Sequence, residues 1–165
     1  RANLDDWEGS TNDYLEIIKN DPQNTEVLAN IADNYDYLKD YDKSIQYYTL
    51  ALASDRVVKT DTSQRIRLSL GALMNDPDPD TDYEMEEIDL YFNRGVTHLK
   101  YEKWDEAVVD FNKTLELGAY PESSYLALGE AYLGKKDSIN TCRVLIEAAK
   151  LGSNEARELL KENCI

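Results

Sequence analysis

The sequence predicts an all-α fold, and three observations lead there. Apolar residues recur at three- and four-residue spacing along the whole chain. β-branched runs are short, and only four prolines and seven glycines punctuate the 165 residues. The third observation is an internal period. Tyr91, Gly95, Ala107 and Phe111 are followed, each 34 residues later, by Tyr125, Gly129, Thr141 and Leu145. Self-similarity at such a period marks stacked helical units, each sealing the apolar flank of the next.

Taken in order, residues 1–24 read as a partial repeat. Counting back by one period places Ser10, Tyr14, Ile17 and Pro22 on its second half, with its first helix expected before Arg1. The chain is therefore expected to be processed or excised from something longer. Window 25–58 follows, with Leu28, Ile31, Ala32, Tyr35, Ser44, Tyr48 and Ala51 at the repeat's apolar and small positions. Windows 88–121 and 122–155 abut without a gap, and in the first of them "YEKWDEA" joins two amphipathic stretches. Residues 156–165 continue at helical spacing through Ala156, Leu159 and Leu160 and are predicted to be a capping helix.

An insert, 59–87, separates the first complete window from the other two. Asp61 and Gln64 stand at capping-box spacing before Ile66, Leu70, Leu73 and Met74, which predicts one extra helix. Pro77 and Pro79 end it, and Thr81 with Glu84 marks the next start. Within the insert, "DPDPDTDYEMEE" sets Asp76, Asp78, Asp80 and Glu87 at positions 1, 3, 5 and 12 of a calcium loop. Position 6 is Thr81 where the loop's sharp turn needs glycine, and two prolines stiffen the backbone. The expectation is a solvated acidic linker and no metal. One helix among pairs also raises a parity problem that the sequence leaves open.

These windows resemble the tetratricopeptide repeat (TPR) family, whose pattern is W-x2-L-G-x2-Y, then A-x3-F, then P. Window 122–155 carries Tyr125, Leu128, Gly129 and Tyr132, then Thr141, Leu145 and Ala148. Window 88–121 departs from the pattern with Arg94 for leucine and His98 for tyrosine, and Arg56 stands at the proline position of window 25–58. The resemblance implies a right-handed α-solenoid of stacked antiparallel helix pairs and a function in protein–protein interaction, as a scaffold or adaptor.

Composition narrows the partners. With 33 acidic against 18 basic residues the net charge is -15, which opposes nucleic acid and anionic membranes. No apolar run is long enough to span a bilayer. A soluble chain is expected, with the cytoplasm slightly favoured and secretion or the periplasm left open. Two cysteines, Cys142 and Cys164, show no ligand spacing and read as small hydrophobes. The one histidine, His98, falls on a helix-pairing seam, and no nucleophile motif accompanies it. Neither an enzyme nor a cofactor is expected. "NKT" at Asn112 matches a glycosylation sequon but lies within a predicted helix.

At 100° per residue, repeat positions 4, 7, 8 and 11 share the packing side of the first helix of each pair, and positions 2, 5, 9, 12 and 13 share the opposite side. In the TPR family the second set lines a concave groove. Carried across, the partner-binding residues are Ala29, Asp33, Asp36 and Tyr37, then Phe92, Val96, Leu99 and Lys100, then Leu126, Glu130 and Leu133. Phe92, Val96, Leu99, Leu126 and Leu133 make an apolar stripe, and the acids favour a partner peptide or helix with basic flanks. Two alternatives remain: the chain's own insert could fill the groove, or copies of the chain could self-associate. A calcium-responsive domain is the reading from another class. Chaperone-tail clamps of the family need basic groove residues, and here Ala29 and Asp33 stand in their place, so an acidic tail is disfavoured.

Overall fold

The computed structural model describes residues 6–57 and 86–164, and among them are eight α-helices. They are α1 (Trp7–Asn20), α2 (Thr25–Tyr37), α3 (Tyr41–Leu52), α4 (Glu87–Lys100), α5 (Trp104–Glu116), α6 (Pro121–Gly134), α7 (Ser138–Leu151) and α8 (Asn154–Asn163). Each helix packs on the next, while α4 also touches α6 and α6 touches α8. The fold is an all-α stack of helix pairs, with α8 laid against α6 and α7 as a closing helix. The predicted extra helix around Ile66 and Leu70 and most of the acidic run lie outside the described residues.

The pairs repeat one seam. Position 8 of each window holds Ala32, Gly95 or Gly129, all buried, and position 24 holds Tyr48, Phe111 or Leu145, none more than 2% exposed. Position 27 is Ala51, Thr114 or Ala148, each 0% exposed. A small residue on the first helix lets the bulky residue of the second reach its backbone.

The turns repeat as closely. Lys39, Glu102 and Lys136, at the same position of their windows, are left-handed at φ 60, 58 and 58. After each, the next N–H bonds back to a carbonyl: Asp40 to Tyr35, Lys103 to His98 and Asp137 to Tyr132, each at 2.9 Å. Asp40 and Asp137 then cap α3 and α7 by accepting from Lys43 N and Asn140 N.

The parity problem has a direct answer. α4 packs against α3, as the first helix of a pair should pack on the second helix of the pair before it. Leu90 is buried in the same cluster as Tyr48, Ala51 and Val57. The rest of this joint is polar: Thr97 donates to Asp36 at 3.0 Å, Tyr101 donates to Asp42 at 2.9 Å, and Lys100 pairs with Asp36. The stack is therefore continuous from α3 to α4.

The two departures from the repeat pattern in window 88–121 are linked. Arg94 grips Asp110 through two hydrogen bonds of 2.9 and 2.7 Å, and its third nitrogen reaches Thr49 on α3 at 3.0 Å. His98 Nε2 lies 3.6 Å from the same carboxylate, and Asp110 is 1% exposed. At the same three positions the next window carries Leu128, Tyr132 and Val144, and the previous one Ile31, Tyr35 and Tyr47. A buried ionic cluster thus stands where its neighbours use apolar packing.

The cysteines correct the sequence reading: Cys142 on α7 and Cys164 after α8 form a disulfide, with Cα atoms 5.7 Å apart. It ties the end of the closing helix to α7, which also holds it through Leu145 and Ala148 against Ala156, Leu159 and Leu160. A chain separation of 22 residues carries no ligand or redox spacing, so the pairing follows only from the fold.

Replacing a buried ion pair by matched apolar groups is often neutral or stabilising, while removing one partner is costly. Asp110→Val alone is therefore expected to lower stability by about 3–5 kcal/mol. The triple change Arg94→Leu, His98→Tyr and Asp110→Val, copied from the next repeat, is expected to recover most of that loss. Urea unfolding of both variants checks the pair of outcomes.

Candidate functional site

A cavity of about 250 Å³ opens between α2 and α4, lined by Asp33, Asp36, Tyr37 and Tyr48 from one pair and Asn93, Val96, Thr97 and Lys100 from the next. Five residues assigned to the groove by repeat register, Asp33, Asp36, Tyr37, Val96 and Lys100, meet here. Tyr48, a seam position of the repeat, joins them, as do Asn93 and Thr97, all three outside the partner-binding set read from the sequence. Tyr48 comes from the second helix of its pair, and its hydroxyl crosses the seam to donate to Asp33.

The acids of this pocket are partly committed. Burial pushes the Asp33 carboxyl above its usual range, and the neighbouring Asp36 charge adds to that, while the Tyr48 hydrogen bond acts the other way. Burial likewise raises the Tyr48 phenol. Asp36 pairs with Lys100 across the joint and accepts from Thr97. Tyr37 remains 63% exposed, with its ring stacked on Trp7 at 4.3 Å between centroids and 8° between planes.

The other assigned positions are distributed differently. Ala29 is 0% exposed within the Leu28 cluster, so its side chain offers a partner no surface. Phe92, Val96 and Leu99 are half-buried against the cluster around Phe111. Phe92 meets Phe111 edge-on at 5.7 Å and Tyr120 at 5.2 Å, so the apolar stripe is partly covered by its own chain. Leu126 packs toward the closing helix, and Leu133 is half-buried. Glu130 is exposed as a residue, and partial desolvation of its carboxyl by the packing around it, together with the Glu155 charge, raises its pKa. The five pocket residues are therefore the part of the predicted groove that meets around one cavity, and Glu130 is exposed apart from them.

Other candidate chemistry dissolves in the packing. His98 is 7% exposed, and its Nδ1 is buried without a hydrogen-bond partner. Thr114 of the sequon is fully buried and donates to the Asp110 carbonyl at 3.0 Å, which leaves Asn112 within an intact helix. Among the described residues no three His, Cys, Asp or Glu side chains converge as a metal site. Asp76, Asp78 and Asp80 lie outside them.

Stacked antiparallel pairs with this seam define a helical-repeat protein. Residues 25–57 match the family described as Tetratricopeptide repeat, and the chain accordingly carries a TPR unit there. Among solved structures it is similar to a crystal structure of MamA protein, at 19% identity over 97% of this chain and 87% of that one, with a TM-score of 0.37. A second structure of MamA shares 19% identity over 95% and 92%, also at 0.37. PilW, titled a widely conserved type IV pilus biogenesis factor, shares 17% over 88% and 70%, at 0.37. The repeat assignment rests on the match at residues 25–57 and on the helix pairs. Comparison with curated proteins finds no match. TPR units serve generally as protein-interaction scaffolds, a role typically separate from catalysis. No helix among the described residues is long and apolar enough to cross a membrane.

Burial holds the His98 imidazole below 6.5, although the Asp110 charge pulls the other way. The folded chain then binds that proton less readily than the unfolded chain, so this contribution is present above pH 6.5 and is lost as pH falls below it. Asp33 and Glu130, whose folded values are raised from 3.8 and 4.5, act in the opposite sense. Their contribution is present in acid and is lost as pH rises through those higher values. His98→Gln is expected to flatten the loss of stability that accompanies acidification below pH 6.5 in the parent chain. Thermal unfolding across that range reads it.

Proposed function

We propose that the chain is a protein–protein interaction module that receives a partner's peptide or helix on the face formed by α2, α4 and α6. In this reading the whole chain acts as one unit of repeats 25–58, 88–121 and 122–155, preceded by a partial repeat and closed by 156–165. The observation that carries it is the meeting of Asp33, Asp36, Tyr37, Val96 and Lys100 around one pocket at the joint of two repeats. An exposed tyrosine beside a half-buried aliphatic residue and a carboxylate offers stacking, apolar contact and a hydrogen-bond acceptor in one place. Lys100 occupies Asp36, so Asp33 is the acid left to meet a cationic group of the partner. A net charge of -15 draws basic sequences toward this face.

Selection of random twelve-residue display peptides on the chain tests the reading. Enriched sequences are expected to combine basic and apolar residues. Tyr37→Ala and Val96→Asp are each expected to weaken the selected peptides by about tenfold or more, the loss typical of a contact at the centre of an interface. Circular dichroism should show the helices retained. Phe92 is left unaltered in this test because it packs on Phe111. Enrichment of peptides whose affinity ignores both variants contradicts the assignment.

A further inference from the structure

A larger cavity, about 580 Å³, lies on the other side of the stack, between α5 and α7 and floored by α6. Its walls include Asn112, Leu115 and Glu116 of α5, Tyr125 and Leu128 of α6, and Arg143 and Glu147 of α7. The cleft one repeat earlier shows what such a place can hold. There the Arg94 guanidinium lies 5.5 Å from the centre of the Tyr91 ring, bonds Thr49 and is gripped by Asp110. Shifting each of these residues by 34 gives Leu128 for Arg94, Tyr125 for Tyr91 and Val144 for Asp110, and 63 positions on from Thr49, at the same place in its own window, stands Asn112. The later cleft keeps the aromatic ring and a polar group but has lost its internal cation.

We infer that this outer trench accepts an arginine side chain from a basic, apolar partner segment, in the place where the preceding repeat supplies Arg94 from within. Tyr125 offers its ring face, over which no cation lies among the described residues. Asn112 donates its amide to the Val108 carbonyl and keeps its own amide oxygen as an acceptor. Glu116 and Glu147 supply the charge. Among the described residues each is tied by a pair within its own helix, to Lys113 and Lys150, and exposed pairs of that kind exchange at little cost. Leu115 and Leu128 take the aliphatic stem of the side chain. Arg143 is the one opposing charge on the lining, and it is exposed. The inference is independent of the groove between α2 and α4, because the two sites share no residue.

Fluorescence anisotropy of the full chain with labelled Ac-LRLRL-NH2 tests it, with the citrulline and glutamate analogues as neutral and acidic probes. The arginine peptide should bind most tightly. The double change Glu116→Gln and Glu147→Gln and the single change Tyr125→Leu should each weaken it about two- to fivefold, and Arg143→Gln should strengthen it about twofold. Melting temperatures report whether the Tyr125 variant stays folded, and the glutamate pair lies on the surface. In a chain that also carries Asp33→Asn and Tyr37→Ala, which weaken the groove, the trench variants should keep the same effect. Affinity unmoved by every trench variant overturns the inference, as does a preference for the glutamate peptide that is lost with Arg143→Gln. Sensitivity to the Asp33 and Tyr37 variants alone also overturns it and leaves the groove reading standing.

Discussion

Within each helix pair a residue with little or no side chain faces a bulky one sixteen places later, and the rest of the architecture depends on that contact. Leu145 packs so near the Gly129 backbone that a Cβ there would sit 2.4 Å from Leu145 Cδ2 and 2.9 Å from its Cγ. At Gly95 the nearest atom of Phe111 would be 3.0 Å away. Close approach at this point sets the angle between the two helices, and the left-handed residue that ends the first helix returns the chain in the same direction each time. Because the geometry repeats, the first helices line up along one side, and groove and trench are the two surfaces that result.

The middle pair keeps this frame with different chemistry. Its seam retains Gly95 and Phe111, but beside them Arg94, His98 and Asp110 replace the apolar trio used on either side. Arg94 also reaches Thr49, so the cluster fastens the pair to its predecessor as well as sealing itself. Lys100, Thr97 and Tyr101 extend that polar joint along α4. A joint built from hydrogen bonds and ion pairs specifies register more sharply than interchangeable aliphatic contacts, since a displaced helix would leave Asp110 or Asp36 buried without a partner. It also brings Asp36 and Lys100 to the rim of the groove pocket, so the same residues join the repeats and shape the candidate site.

The repeat itself was legible because packing constrains residue size at fixed spacing, and size survives in the letters of the sequence. Residues that work in concert were harder to read. Arg94 and His98 looked like isolated departures until Asp110, sixteen and twelve places on, was seen between them. Arg56 likewise looked misplaced, yet it reaches Asp21 at 2.6 Å and secures the turn before α2. Asp33, Asp36, Tyr37, Val96 and Lys100, which helix-face geometry assigns to one side, line a single pocket, whereas Ala29, assigned to the same side, is completely buried by the packing of α2. The seam tyrosine Tyr48 reaches the pocket only because its hydroxyl outspans the pair, a matter of side-chain length that angular position does not report. The disulfide and the direct packing of α3 on α4 depend on three-dimensional closure, and no local pattern encodes either.

The seam is tested most directly by the sign of one substitution. Gly129→Ala adds a methyl group inside a helix, where propensity alone would raise stability by about 1 kcal/mol. Against the fully buried Leu145 the methyl group has no room, and the account predicts a net loss of about 1–3 kcal/mol in chemical unfolding. A Gly129→Ala chain that unfolds at higher denaturant than the parent would show that the two helices do not meet there, and the register on which both surfaces depend would be wrong.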